Sequence, residues 1–151
     1  MVASGRRHGA EIEMWRQLTQ LTGLLSSSLD KRLTRRHGVS VSEFTALSTL
    51  TEADRGGIRM QDLADAIGLN QSTVSRLIAR MESSGLATRE IGARDRRCTY
   101  AVITDQGRTI AEEARGTFQK EFNTALDTAA FDERTAAVVA RLRHDPTTAP
   151  E

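Results

Sequence analysis

The stretch Asn70–Arg97, NQSTVSRLIARMESSGLATREIGARDRR, reads as one helix, a glycine stop and a basic loop between two short strands. On a 3.6-residue wheel the helical part separates into two faces. Val74, Leu77, Ile78 and Met81 recur at i, i+3, i+4 and i+7 and form the apolar side. Ser72, Ser75, Arg76 and Ala79 fall nearly opposite, on a small, polar and basic face with no acid before Glu82. A helix face that only meets water more often interleaves Glu and Lys. This one is expected to approach a polar, anionic partner.

Both ends of the helix are marked. Asn70 is a good N-cap, whose side-chain oxygen accepts from an otherwise orphan N–H, and Gly85 supplies the left-handed residue that ends helices. The exposed N-terminus suits a phosphate, because unpaired N–H groups and the positive dipole end converge there. A shorter periodic segment, Met60–Ile67, precedes it and stops at Gly68. Two helices joined through Gly68, Leu69 and Asn70 make a helix-turn-helix, whose second helix enters the major groove of DNA.

Leu86–Ile91 and Cys98–Ile103 are strand-like runs around Gly92-Ala-Arg94-Asp95-Arg96-Arg97. A hairpin with three Arg at its tip is a wing, a cationic finger of a size that enters a minor groove. Asp95 stands two residues before Arg97 and is placed to orient that guanidinium by a charge-assisted bond. The plain alternative is an Arg-rich surface turn; adjacency to a helix-turn-helix favours the wing.

STVSRLIARMESSGL, then ARDRR, then VITDQGR resembles the MarR family of winged-helix transcriptional regulators. The family's Asp-x-Arg wing signature is matched by Asp95 and Arg97, and its Leu-Thr-x-x-Gly by Ile103-Thr104-Asp-Gln-Gly107. The likeness runs from about Val39 to Arg108. One departure is Arg59-Met60, where the family usually places a Ser or Thr cap. The resemblance implies an intertwined, triangular homodimer with two winged lobes at its base. It also implies that a small aromatic or otherwise lipophilic effector releases the DNA.

The formal net charge is only +1, but its distribution is uneven. Residues 1–40 carry seven Lys/Arg against three acids, and residues 70–97 carry six against three. Residues 41–69 carry two against five, and residues 98–151 six against nine. Positive charge thus gathers at the N-terminus and on the helix-wing stretch, as expected of a local nucleic-acid site. No apolar run is long enough to span a membrane and MVASGRRHG lacks the apolar core of a signal peptide, so a cytoplasmic location is expected. A single cysteine, Cys98, rules out an intrachain disulfide or a Cys-rich zinc site.

In chain order, residues 1–9 read as a flexible arm. Residues 10–36 form a long helix with Ile12, Trp15, Leu18, Leu21, Leu25, Leu29 and Leu33 in one stripe. Ser40-Val-Ser-Glu43 is a capping box opening a helix that buries Val41, Phe44, Leu47 and Leu50. After the wing, Thr104 caps a helix to about Thr128 with Phe118 and Phe122 on its apolar side. A last helix, about Glu133 to His144, carries Val138, Val139 and Leu142, and 145–151 is expected to be disordered. The fold class is mainly α (α+β). Residues 37–103 form a winged helix-turn-helix region, and 10–36 with 104–144 form helical dimerisation segments. The terminal helices show no obvious partner inside the chain, so a second copy is expected to cover Ile12, Trp15, Leu18, Leu25, Phe122, Val138 and Leu142.

The function expected is a dimeric repressor, less often an activator, on a near-palindromic double-stranded DNA operator. Ser72, Thr73, Ser75 and Arg76 are placed at base edges or phosphates, Gln71 and Arg80 toward the backbone, and Arg94, Asp95, Arg96 and Arg97 in the wing. Arg76 is the best reader of guanine. An enzyme is disfavoured: His8, His37 and His144 sit in no metal-ligand spacing, and no nucleophile elbow or phosphate-binding glycine loop appears. No cofactor or metal is expected. A winged helix used only for protein interaction would not need the Arg-rich tip. Cys98, beside Arg97, reads as a small half-buried strand residue; a redox-responsive role is the alternative. The peroxide-sensing branch of the family places its cysteine near the start of the first helix, where this chain has none.

Overall fold

The computed structural model describes residues 3–53, 56–93 and 95–144. Along the chain run α1 (Ala3–His37), α2 (Val41–Glu52), β1 (Ile58–Arg59), α3 (Met60–Ile67) and α4 (Gln71–Ser83). They are followed by β2 (Ala87–Ile91), β3 (Thr99–Ile103), α5 (Asp105–Ala130) and α6 (Ala136–Arg143). The three strands form an antiparallel sheet in the order β1-β3-β2, with Arg59 opposite Tyr100 and Ala87 opposite Ile103. This mainly helical chain with a small sheet is the winged helix-turn-helix expected; β1 is a further two-residue strand that closes the sheet's other edge.

The chain divides into two compact units, one of residues up to Leu29 with those from Gln119 onward, the other Asp30–Phe118. The division falls inside α1 and α5 rather than at their ends. In the Asp30–Phe118 unit Leu33, Leu47, Leu50, Leu63, Leu77 and Ile78 are fully buried. The Phe44 and Phe118 rings stack with centroids 4.8 Å apart, so the first half of α5 belongs to this core. The Ser40 capping box forms as read: Ser40 Oγ accepts from the Glu43 N–H and Glu43 Oε2 from the Ser40 N–H, at 3.1 and 2.7 Å.

In the other unit, Leu21, Ala129, Val138 and Val139 form a small core, with Leu25, Leu126 and Ala130 packed on it. The terminal helices therefore do have a partner within the chain: each other. Val138, expected to face a second copy, is 5% exposed in this core. The break after α5 is longer than read, extending to Thr135, and sets α6 so that its Val138–Val139 side meets Leu21 and Ala129. Thr135 is buried there and donates to the Ala129 carbonyl at 2.7 Å. Arg134 grips Asp132 through its backbone N–H and guanidinium and holds that carboxyl down to about 2. Leu25 and Phe122 are half-buried, whereas Ile12, Trp15, Leu18 and Leu142 are exposed.

Residues 3–9, read as part of an arm, continue α1. Gly5 and Gly9 each cost a helix about 1 kcal/mol relative to Ala. Extending an existing helix needs no new nucleus, however, and each added residue brings one hydrogen bond. The segment 145–151, expected to be disordered, lies outside the described residues, as does Arg94.

Candidate nucleic-acid interface

α4 is oriented by its apolar side. Val74, Leu77, Ile78 and Met81 are all buried, which turns Gln71, Ser72, Thr73, Arg76, Ala79 and Arg80 outward and leaves Ser75 half-buried. At the N-terminus Asn70 Oδ1 accepts both the Thr73 N–H and the Ser72 hydroxyl, each at 2.8 Å. The Ser72 hydroxyl therefore already spends its proton inside the cap and offers a lone pair outward. The Arg76 guanidinium makes no hydrogen bond or ion pair among the described residues. Arg80, expected to face a DNA backbone, is exposed and stands 4.0 Å from Glu43, the acid of the α2 capping box.

At the other end Gly85 (φ 73°) takes the left-handed conformation that a side chain would resist. Its carbonyl accepts the Thr104 hydroxyl at 2.6 Å, and the same oxygen of Thr104 accepts the Gly107 N–H at 3.0 Å. One threonine thus caps α5 and ties its start to the end of α4. Gly107 has no alternative residue in this packing, because a Cβ there would sit 2.1 Å from the Leu86 carbonyl oxygen.

In the wing, the Gly92 N–H donates to the Cys98 carbonyl at 2.8 Å and the Cys98 N–H to the Asp95 carbonyl at 3.0 Å, closing the tip. Asp95 accepts from the Arg97 backbone N–H at 3.0 Å and from its guanidinium at 3.2 and 3.4 Å. These bonds hold the Asp95 carboxyl below its ordinary range. The Arg97 side chain is 91% exposed and Arg96 is exposed, so the tip presents two cations to solvent, of which Arg97 is held by Asp95. Cys98 is half-buried, and its thiol donates to Asp95 at 3.6 Å.

Three residues that sequence reasoning passed over join these parts. Arg89 on β2 donates to the Ser75 carbonyl and pairs with Glu82 at 3.4 Å, while its backbone N–H donates to the same carboxylate at 3.0 Å. Glu82 and Arg89 therefore pin the wing to α4. Arg59 opens α3 and, with Arg89, Arg97, Gln71, Ser75 and Cys98, lines an open cleft of about 250 Å³ between α4 and the wing base. The only sequence signal was the oddity of Arg at position 59, where a capping residue belongs. Among the described residues no group of three or more His, Cys, Asp or Glu is placed to hold a metal, and no helix is long and apolar enough to cross a membrane.

Residues 37–97 match the model described as the MarR family. The chain is 29% identical over 110 residues to the uncharacterized HTH-type transcriptional regulator YdgJ of Bacillus subtilis, covering 72% of this chain and 66% of YdgJ. It is 26% identical over 103 residues to the transcriptional repressor MprA of Escherichia coli, covering 68% of this chain and 58% of MprA. It thus spans about three-fifths to two-thirds of the length of these curated relatives. Among solved structures it is similar to Sco3205 of Streptomyces coelicolor, a MarR family regulator crystallised in complex with DNA. That match has a TM-score of 0.73 at 26% identity and covers 89% of this chain and 84% of Sco3205.

Proposed function

We propose that this chain is a winged helix-turn-helix transcriptional regulator of the MarR family, a family of DNA-binding proteins rather than enzymes, and that it acts as a homodimeric repressor on a near-palindromic operator. The observation that carries the reading is the outward face of α4. Burial of Val74, Leu77, Ile78 and Met81 leaves Arg76 solvent-facing and unpaired among the described residues. A guanidinium so placed matches the N7 and O6 acceptors of guanine. Gln71, Thr73 and Ser75, with the free lone pair of Ser72, supply further contacts to bases or phosphates. Arg96 and Arg97 supply cations for the adjacent minor groove, with Asp95 orienting Arg97. Two copies place their α4 helices in successive major grooves, about 10 bp apart.

The exposed Ile12, Trp15, Leu18 and Leu142 support dimerisation through the terminal unit, since large apolar side chains clustered on a surface mark an interface. The repressor sense follows the name of MprA, and release by a small aromatic or lipophilic molecule follows the family resemblance. The protein acts where its DNA is, in the cytoplasm.

Affinity measured across salt, for DNA upstream of its own gene and for a scrambled duplex, tests this reading. Arg97→Ala is expected to make the slope of log affinity against log salt shallower by about one per lost contact, on both duplexes. Arg76→Ala is expected to cost on the order of 1–3 kcal/mol per half-site on the upstream DNA and to relax preference at one base pair. Equal weakening of both duplexes by Arg76→Ala, with preference intact, makes Arg76 a phosphate clamp and passes base reading to Ser72, Thr73 or Ser75.

A further inference from the structure

We propose that the cleft between α4 and the wing base seats one phosphodiester of the DNA backbone, with Arg59 as its charge-bearing residue. This rests on the DNA-binding reading above. Arg59 occupies the N-cap of α3, yet its side chain makes no capping bond. Its backbone is held by pairing with Tyr100 in the sheet, which anchors the stem of an exposed side chain. The other two guanidiniums of the cleft are already compensated, Arg89 by Glu82 at 3.4 Å and Arg97 by Asp95 at 3.2 Å. The Arg59 guanidinium has no hydrogen bond or ion pair among the described residues. Its charge is felt by Asp95, but that carboxylate is engaged by the Arg97 N–H and guanidinium. Among the described residues the cleft therefore carries one guanidinium with no bonded acid, and Gln61, Gln71 and Ser75 line it beside Arg59.

The geometry of DNA selects the occupant. Major and minor grooves are separated by a sugar-phosphate backbone. A protein with a helix in one groove and a wing in the next must straddle that backbone, and the space between helix and wing faces it. The open cleft, about 250 Å³, has room for a phosphate group. Arginine at position 59 thus exchanges a helix cap for a phosphate contact, which explains why this residue type is tolerated at an N-cap.

The test is binding of the full chain to a random-sequence duplex across salt, for wild type, Arg59→Ser and Arg59→Lys. Thermal unfolding of each is followed in buffer and in inorganic phosphate. Arg59→Ser is expected to give a shallower salt slope, by about one per protomer bound, because one phosphate contact releases about 0.9 counterion. Its Tm should be equal or higher, since serine caps α3. Arg59→Lys should keep the wild-type slope. A wild-type slope in Arg59→Ser overturns the proposal. So does a slope loss that Lys does not rescue and that comes with a lower Tm, which marks a structural role. If inorganic phosphate raises the Tm of wild type but not of Arg59→Ser while the slope is unchanged, the cleft takes a free anion and the backbone assignment falls. Failure of wild type to bind any duplex instead removes the DNA-binding reading itself.

Discussion

The Asp30–Phe118 unit and the unit built from the two chain ends bury their apolar residues in different ways. In the first, α2, α3 and α4 close a core in which Leu47, Leu63, Leu77 and Ile78 are fully buried, and what remains outside is mostly polar, with Arg59, Arg76, Arg96 and Arg97 among the exposed side chains. In the second, a small core of Leu21, Ala129, Val138 and Val139 leaves Trp15 69%, Leu142 62% and Phe131 91% exposed. A surface that keeps guanidiniums unpaired is made for an anion. One that keeps tryptophan and leucine in water is made for another apolar surface. The two units are thus incomplete in opposite senses, and the proposed complements are a DNA duplex for the first and a second copy for the second.

If the first unit is self-sufficient, its core substitutions act on folding. Leu77→Ala, on the buried side of α4, is expected to cost about 2–5 kcal/mol of stability by chemical denaturation, through lost transfer energy and a residual cavity. A loss under 1 kcal/mol would show the face of α4 to be looser than its burial indicates. In the second unit the same kind of residue should act in trans. Trp15→Glu is expected to cost dimerisation on the order of 2 kcal/mol or more, converting dimer to monomer in sedimentation, while leaving the monomer's helix content unchanged. A dimer of undiminished strength sinks the contrast between the units.

The residues most legible in the sequence are those whose meaning is local. Val74, Leu77, Ile78 and Met81 announce their shared face through periodicity alone, and Ser40 with Glu43 spells a capping box whose two bonds are both present. Asp95 and Arg97 lie within one turn of chain, so their pairing was readable too. Where partners are remote, pattern fails. Arg89 gains its role only when the Gly85 stop folds β2 back onto Glu82 and the Ser75 carbonyl. Val138 was assigned to a partner molecule because its true neighbour, Leu21, lies almost the whole chain away. β1 has two residues, too few for any alternation to register. The proximity of Arg80 to Glu43, on a different helix, was likewise invisible to pattern.

The smallest effect belongs to Cys98. It is half-buried at the foot of the wing with its thiol donating to Asp95, a bond that a serine hydroxyl can replace. Cys98→Ser is expected to change stability by less than about 0.5 kcal/mol and to leave DNA binding unchanged. Loss of binding on peroxide treatment in wild type, abolished in Cys98→Ser, would reverse this and make the wing a redox-responsive element.

In the proposed function, two α4 helices read one duplex from a dimer whose apolar surface is satisfied by its own copy. Footprinting on the DNA upstream of its own gene measures site, symmetry and spacing together. The prediction is two protected half-sites related by an approximate dyad, about 10 bp apart centre to centre, with additional protection of the minor groove flanking each. A single asymmetric half-site, or no protection beyond that given by a scrambled duplex, contradicts it.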